Sequence, residues 1–158
     1  MWHGSRDSIG GKILGVWVIV ETSQKEIIMS DPLTIKIHNY GKIPSKKNRM
    51  RVYNNRMIKA EDVRIFETML ASRARQIMSL MGLEPIDGPV KLHLDVTFGD
   101  RRRRDLQNLF GSICDSLNEI VYVDDHQITK LSGSKVYKKN QWEYTITITK
   151  LKGESDGT

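Results

Sequence analysis

The sequence predicts an α/β fold, a single small domain in which a mixed β-sheet packs with two main helices. Three observations lead there. The chain has 158 residues, 39% of them apolar, which suits one domain with one modest core. Val90, Leu92, Leu94, Val96 and Phe98 alternate strictly with other residues, the two-residue period of a strand with one buried face. Leu106, Leu109, Phe110, Ile113, Cys114, Leu117, Ile120 and Val121 recur at three- and four-residue spacing, the stripe of a helix buried on one side. Strands flanking two such helices make a layered α/β sheet the expected architecture.

Taken in order, residues 1–28 are Gly-rich and polar, then apolar over 13–20, then charged. They are expected to be an N-terminal extension outside the functional fold, with residues 29–32 reading as a natural start; the rival expectation is an extra edge strand over 13–20. The functional domain is expected over 29–151. Leu33, Ile35 and Ile37 alternate, predicting a strand at 33–38. Residues 41–59 read as a loop. Ile65, Met69, Leu70, Ile77 and Leu80 predict a helix over 60–81, followed by a turn at 85–88, the strand at 89–98 and a second helix over 105–121. A short extended piece is expected at 121–123. Residues 128–137 and 142–149 read as a hairpin turning near Lys139 and Asn140. Residues 152–158 are a polar tail expected to fray.

Lys and Arg total 25 against 19 Asp and Glu, a formal charge of +6. That balance favours a polyanionic partner, nucleic acid first and an acidic membrane surface second. The one cysteine, Cys114, excludes an intramolecular disulfide and a zinc site built from several cysteines, and it points to a reducing compartment. No apolar run is long enough to span a bilayer, so no membrane partner is expected. No Gly-rich phosphate loop is present, which argues against use of nucleoside triphosphates.

The chemistry concentrates in residues 99–128. Arg101, Arg102, Arg103 and Arg104 lead directly into Asp105 at the start of the second predicted helix. A solvated charge run with an N-cap aspartate is the plain account. Two facts favour more: adjacent like charges repel and gain from an outside anion, and a second acidic pair, Asp124 and Asp125, follows the helix. A helix of some sixteen residues is about 24 Å long. The two acidic groups therefore meet only if residues 121–125 run back along it; alternatively Asp115 joins one cluster, and spacing leaves both arrangements open. Converging carboxylates call for a hard cation, Mg²⁺ with Mn²⁺ able to substitute. Beside arginines, such a cation suits a phosphodiester: it polarises a phosphoryl oxygen and activates water while the guanidinium groups hold neighbouring phosphates. Residues 42–59 carry seven cations (Lys42, Lys46, Lys47, Arg49, Arg51, Arg56 and Lys59) and no acid, a further phosphate-contacting surface. His126 beside Asp125 lacks a second histidine at ligand spacing, His93 and Asp95 point away from the core, and Cys114 falls on the apolar stripe.

The run RRRRDLxN ending at Asn108, a helix with Asp115 at its middle, and the hydrophobic pair before DDxQ resemble the RusA family of Holliday junction resolvases. The similarity extends weakly to Ile43, Pro44 and Ser45, to Asn48 and Arg49, and to Ala60 and Glu61. The resemblance implies a small α/β protein forming an intertwined homodimer that nicks branched, four-way DNA symmetrically, using Mg²⁺ held by aspartates, in a cytoplasmic, bacterial or phage-encoded setting. Residue by residue, it implies that Asp105 and Asp125 are catalytic and hold the metal, with Gln107 or Asp124 completing the shell. DNA contact falls to Arg101, Arg102, Arg103, Arg104 and Asn108, to Lys46, Lys47, Asn48 and Arg49, and to Arg51 and Arg56. Two positions depart from the family's pattern: Gln107 stands where a second aspartate is usual, and Gly111 where a lysine is usual. Gln107 removes a negative charge from the metal site, and Gly111 removes a cation that would steady a developing phosphorane charge. Asp100, Asp115 and Lys135 are candidate substitutes. Three functions follow: a Mg²⁺-dependent endonuclease resolving junctions in recombination and repair, a catalytically impaired junction-binding protein of the same fold, or a general nucleic-acid-binding domain.

Overall fold

A computed structural model describes residues 8–13, 16–21, 33–45 and 50–153. The elements are β1 (Ser8–Ile13), β2 (Val16–Glu21), β3 (Thr34–Tyr40), β4 (Met50–Tyr53), β5 (Arg56–Lys59), α1 (Glu61–Leu80), β6 (Val90–Phe98), α2 (Gln107–Leu117), a 3₁₀ turn (Asp125–Gln127), β7 (Ile128–Tyr137) and β8 (Glu143–Lys150). Six strands form one mixed sheet in the order β1-β2-β3-β8-β6-β7, and β4 and β5 pair only with each other. All pairings are antiparallel except β6 with β7. The N-terminal strands extend the sheet beyond β3, with β2 lying over most of the stretch where an edge strand was the rival expectation.

Alternation explains the layering. Ile37, Ile146 and Leu94 lie side by side across β3, β8 and β6, as do Ile35, Ile148 and Leu92, and all six are fully buried. They join Phe66, Leu70, Ala74 and Ile77 of α1 and Leu109, Phe110, Ile113 and Leu117 of α2 in a single core. Both helices therefore cover one face of the sheet. The other face carries polar side chains, including His38 bonded to Thr145 (2.8 Å) and His93 bonded to Ser132 (2.7 Å) and Asp95 (3.1 Å). An antiparallel-rich sheet with one wet face gives this in/out alternation. No helix among the described residues is long and apolar enough to cross a membrane.

Four expectations change. Residues 41–59 hold a hairpin: β4 and β5 turn at Asn54 (φ 47°) and Asn55 (φ 57°), and positive φ at both central residues is the tight turn that matches strand twist. In α1 the buried stripe is Val63, Phe66, Leu70, Ala74, Ile77 and Met78, while Ile65 and Leu80 are exposed. The second helix is shorter than its apolar period, because Asn118 is extended and Glu119 is left-handed (φ 61°). Finally, β7 and β8 do not pair with each other. The chain leaves β6, returns through α2 and lays β7 parallel to β6, as a helical crossover requires. The β7–β8 link then crosses the end of β6, where Lys138 and Asn140 amides donate to the carbonyls of Phe98 (3.0 Å) and Gly99 (2.9 Å). Gly99 permits this crossing: a Cβ there would stand 2.3 Å from the indole nitrogen of Trp142.

Candidate nucleic-acid interface

Beyond the end of β6 the arginine run forms a turn before α2, and its four members have different surroundings. Arg104 is held tightly. Its guanidinium makes a two-pronged pair with the Asp100 carboxylate and lies over the rings of Phe98 (5.0 Å) and Trp142 (4.9 Å). Lys135 donates to its backbone carbonyl (3.0 Å). The hydrogen bonds from Arg104 draw the Asp100 carboxyl down to about 2. Arg101 lies over Tyr137 (4.9 Å). Arg102 is 84% exposed, with only a loose approach to Asp100 (3.9 Å), and Arg103 is exposed. Three of the four are thus exposed, and Arg104 is spent on bracing the turn.

Arg102 and Arg103 share an open groove of about 680 Å³ with Lys42, Asp105, Asn108 and Trp142. That volume is in the range of small-ligand pockets, so the groove suits a segment of sugar–phosphate backbone, not a whole duplex arm. Lys42 also lies over Trp142, at 4.4 Å. Asp105 caps α2 one step early: its carboxylate accepts the amide of Gln107 (3.0 Å). A second carboxylate, Asp62 of α1, lines the same groove. Sequence reasoning missed it, because no local pattern announces that the start of α1 faces the start of α2. Along α2, Gln107, Gly111 and Asp115 are each exposed and stand four residues apart, one ridge of the helix open to solvent.

The other acidic pair occupies a different place. Asp124 and Gln127 form a reciprocal cap on the 3₁₀ turn: Asp124 accepts the His126 amide (3.0 Å), and Gln127 Oε1 accepts the Asp124 amide (2.7 Å). Gln127, nearly buried, also donates to the carbonyls of Ile86 (2.9 Å) and Gly88 (2.7 Å). The Asp124 carboxyl is held below its ordinary range, first by the His126 amide and then by the His126 ring at 2.7 Å. Asp125 is exposed on this turn, and with Asp115 its charge adds to burial in pushing the Cys114 thiol up to about 11. Tyr122 donates to the carbonyl of Cys114 (2.9 Å), which ties this region to the last turns of α2.

The two acidic groups stand at opposite ends of the β6–α2–β7 unit. Lys135, which touches Arg104, is in register with Val96; Ile128, which follows Gln127, is in register with Val90. The strand between those levels covers about 20 Å. Residues 121–125 return beside the last turns of α2, where Tyr122 bridges to Asn118 and Ile86 and bonds the Cys114 carbonyl. Among the described residues no three His, Cys, Asp or Glu side chains group closely enough to hold a metal ion. Lys46, Lys47, Asn48 and Arg49 lie outside the described residues, as does the side chain of Arg51, while Arg56 is exposed on β5.

The family model described as endodeoxyribonuclease RusA matches residues 23–149. No curated protein matches the chain.

Proposed function

Because the chain belongs to the RusA endodeoxyribonuclease family, we propose that it is a Mg²⁺-dependent, structure-specific endonuclease that resolves four-way DNA junctions in recombination and repair. The observation that carries this reading is the groove that Arg102, Arg103, Lys42 and Asn108 line together with the carboxylates of Asp105 and Asp62. Cations able to grip phosphates stand there beside an acid able to hold a hard metal. Asp105 and Asp125 would hold the ion, with Gln107 and Asp124 beside them, and Mn²⁺ would substitute. Such an ion supplies electrophilic help at the phosphoryl group and lowers the barrier to attack by water.

The distance between the two acidic ends adds a condition. A complete ligand set calls for a second copy of the chain, with Asp105 of one subunit brought beside Asp125 of the other. A two-fold dimer makes two such sites and matches the near two-fold symmetry of a four-way junction. The functional unit spans 29–151, with 1–28 as an extension whose β1 and β2 prolong its sheet and 152–158 as a tail, in the cytoplasm of a bacterial or phage-infected cell. The test is nicking of a synthetic four-way junction with Mg²⁺. Wild type should nick two opposed strands, and Asp105→Asn should lose more than about 100-fold. Junction nicking that survives Asp105→Asn would defeat the proposal.

A second reading rests on Gln107 and Gly111, which share the exposed ridge of α2 with Asp115. On that reading the chain binds branched DNA but cuts it poorly. Gln107→Asp, alone or with Gly111→Lys, separates the two: a large gain in nicking marks the natural site as impaired, and a loss marks Gln107 as part of a working variant site.

A further inference from the structure

The β4–β5 hairpin has a composition and placement that the phosphate-gripping groove does not explain. Among the described residues it pairs with no other strand, and an isolated two-stranded ribbon gains little from burial. Yet Val52 is 72% exposed, Tyr53 67% and Met57 67%. The register sets Val52 opposite Met57 and Tyr53 opposite Arg56. Cross-strand partners share a face, so one side of the tip is aliphatic and the other aromatic and cationic. The turn at Asn54 and Asn55 makes the tip narrow. Its base is fixed, since Lys59 donates to Glu67 of α1 (2.8 Å). Ser45, ahead of the hairpin, and Asp62, just after it, both line the arginine groove, so the hairpin rises from the rim of that groove.

We infer that this hairpin is a wedge whose apolar tip enters the branch point of a DNA junction and stacks on bases there. The inference rests on the junction-binding reading above. Its occupant follows from charge: residues 42–59 carry cations and no acid, which suits a polyanion and not a neutral protein surface. Aliphatic side chains wedge between base steps and unstack them. An exposed tyrosine beside an arginine offers a stacking platform to a base so freed. A branch point is where bases are least well stacked, so insertion costs least there. The cations of the stretch would hold phosphates on either side.

The test uses the full chain and a four-way junction carrying 2-aminopurine at the branch point, with EDTA present so that nothing is cut. Wild type at saturation should raise the fluorescence severalfold, and a duplex with the same probe should show no rise. Val52→Ser with Met57→Ser, and separately Tyr53→Ser, should bring the signal back to that of the free junction. The salt dependence of binding should keep its slope, since no charge is removed. Wild type that binds the junction without a fluorescence rise would overturn the wedge and leave the nuclease reading standing; wild type that does not bind the junction would defeat both. A fluorescence rise undiminished in both variants would also overturn it. So would a change from dimer to monomer in sedimentation velocity of either variant, because the tip would then be a subunit contact.

Discussion

At the N-terminal end of α2, Asp105 stands among cations: Arg102, Arg103 and Lys42 share its groove, and Arg104 is locked behind it by Asp100, Phe98 and Trp142. Past the C-terminal end, Asp125 stands among acids, with Asp124 beside it and Asp115 close enough that both act on Cys114. The first end is rich in cations; the second is rich in acids. They lie at opposite ends of the same β6–α2–β7 unit. The difference teaches that acids adjacent in sequence are divided between two places in the fold, and the proposed function would bring the halves together between subunits.

Several substitutions break or sharpen that contrast. The largest expected effect is at the acidic end. Gln127→Leu removes two hydrogen bonds to the carbonyls of Ile86 and Gly88 together with the cap on Asp124. Stability should fall by about 2–3 kcal/mol in urea unfolding, and Asp125 should lose its fixed position. A change within about 0.5 kcal/mol would mean that the turn is held by something else. Next, Gln107→Asp adds a charge one residue beyond the Asp105–Leu106 pair, on the exposed ridge. The Mg²⁺ concentration for half-maximal nicking should fall about tenfold, the range expected when a carboxylate joins a hard-cation site.

The arginines divide next. Arg104→Ala should cost about 1 kcal/mol through its lost stacking on Phe98 and Trp142, with little change in the salt slope of DNA binding. Arg102→Ala should leave stability within about 0.5 kcal/mol and lower that slope by about 1. The reverse pattern would assign the phosphate contact to Arg104. The smallest effect concerns acid. Asp100 is drawn down to about 2 by its pairing with Arg104, below the ordinary 3.8. A depressed carboxyl contributes stability that is fully present above its unfolded value and is lost as pH falls toward the folded one. Thermal melts between pH 5 and pH 2 should therefore show a shallower acid decline in Asp100→Asn than in wild type.

The strand β6 and the stripe of α2 were legible because each shows its period directly: Leu92, Leu94 and Val96 alternate, and Leu109, Ile113 and Leu117 recur. The partners of β7 were not, since a two-residue period gives the faces of a strand without saying which neighbour it pairs with. The parallel pairing with β6 depends on α2 acting as a crossover, and the next link crosses β6 because Gly99 leaves room for its Trp142. In the 50–59 hairpin, cations interrupted the alternation, although Asn54 and Asn55 were visible as turn residues. Of the candidate site, the arginine run and the cap at Asp105 were legible as a motif. The placing of Asp125 was not, because it follows from the register of β7. Gln127 carried a readable signal that went unused: Asp124 and Gln127 stand at the spacing of a capping box.

In the proposed dimer the two ends of α2 complete one another between subunits. Mixing Asp105→Asn protein with Asp125→Asn protein, after unfolding and refolding together, tests it on a supercoiled cruciform plasmid. If each site takes Asp105 from one subunit and Asp125 from the other, every mixed dimer keeps one intact site. Nicking should then return to about a quarter of the wild-type level, although each variant alone is inert. A refolded mixture as inactive as its parents would contradict the claim and put both aspartates of a site in the same chain.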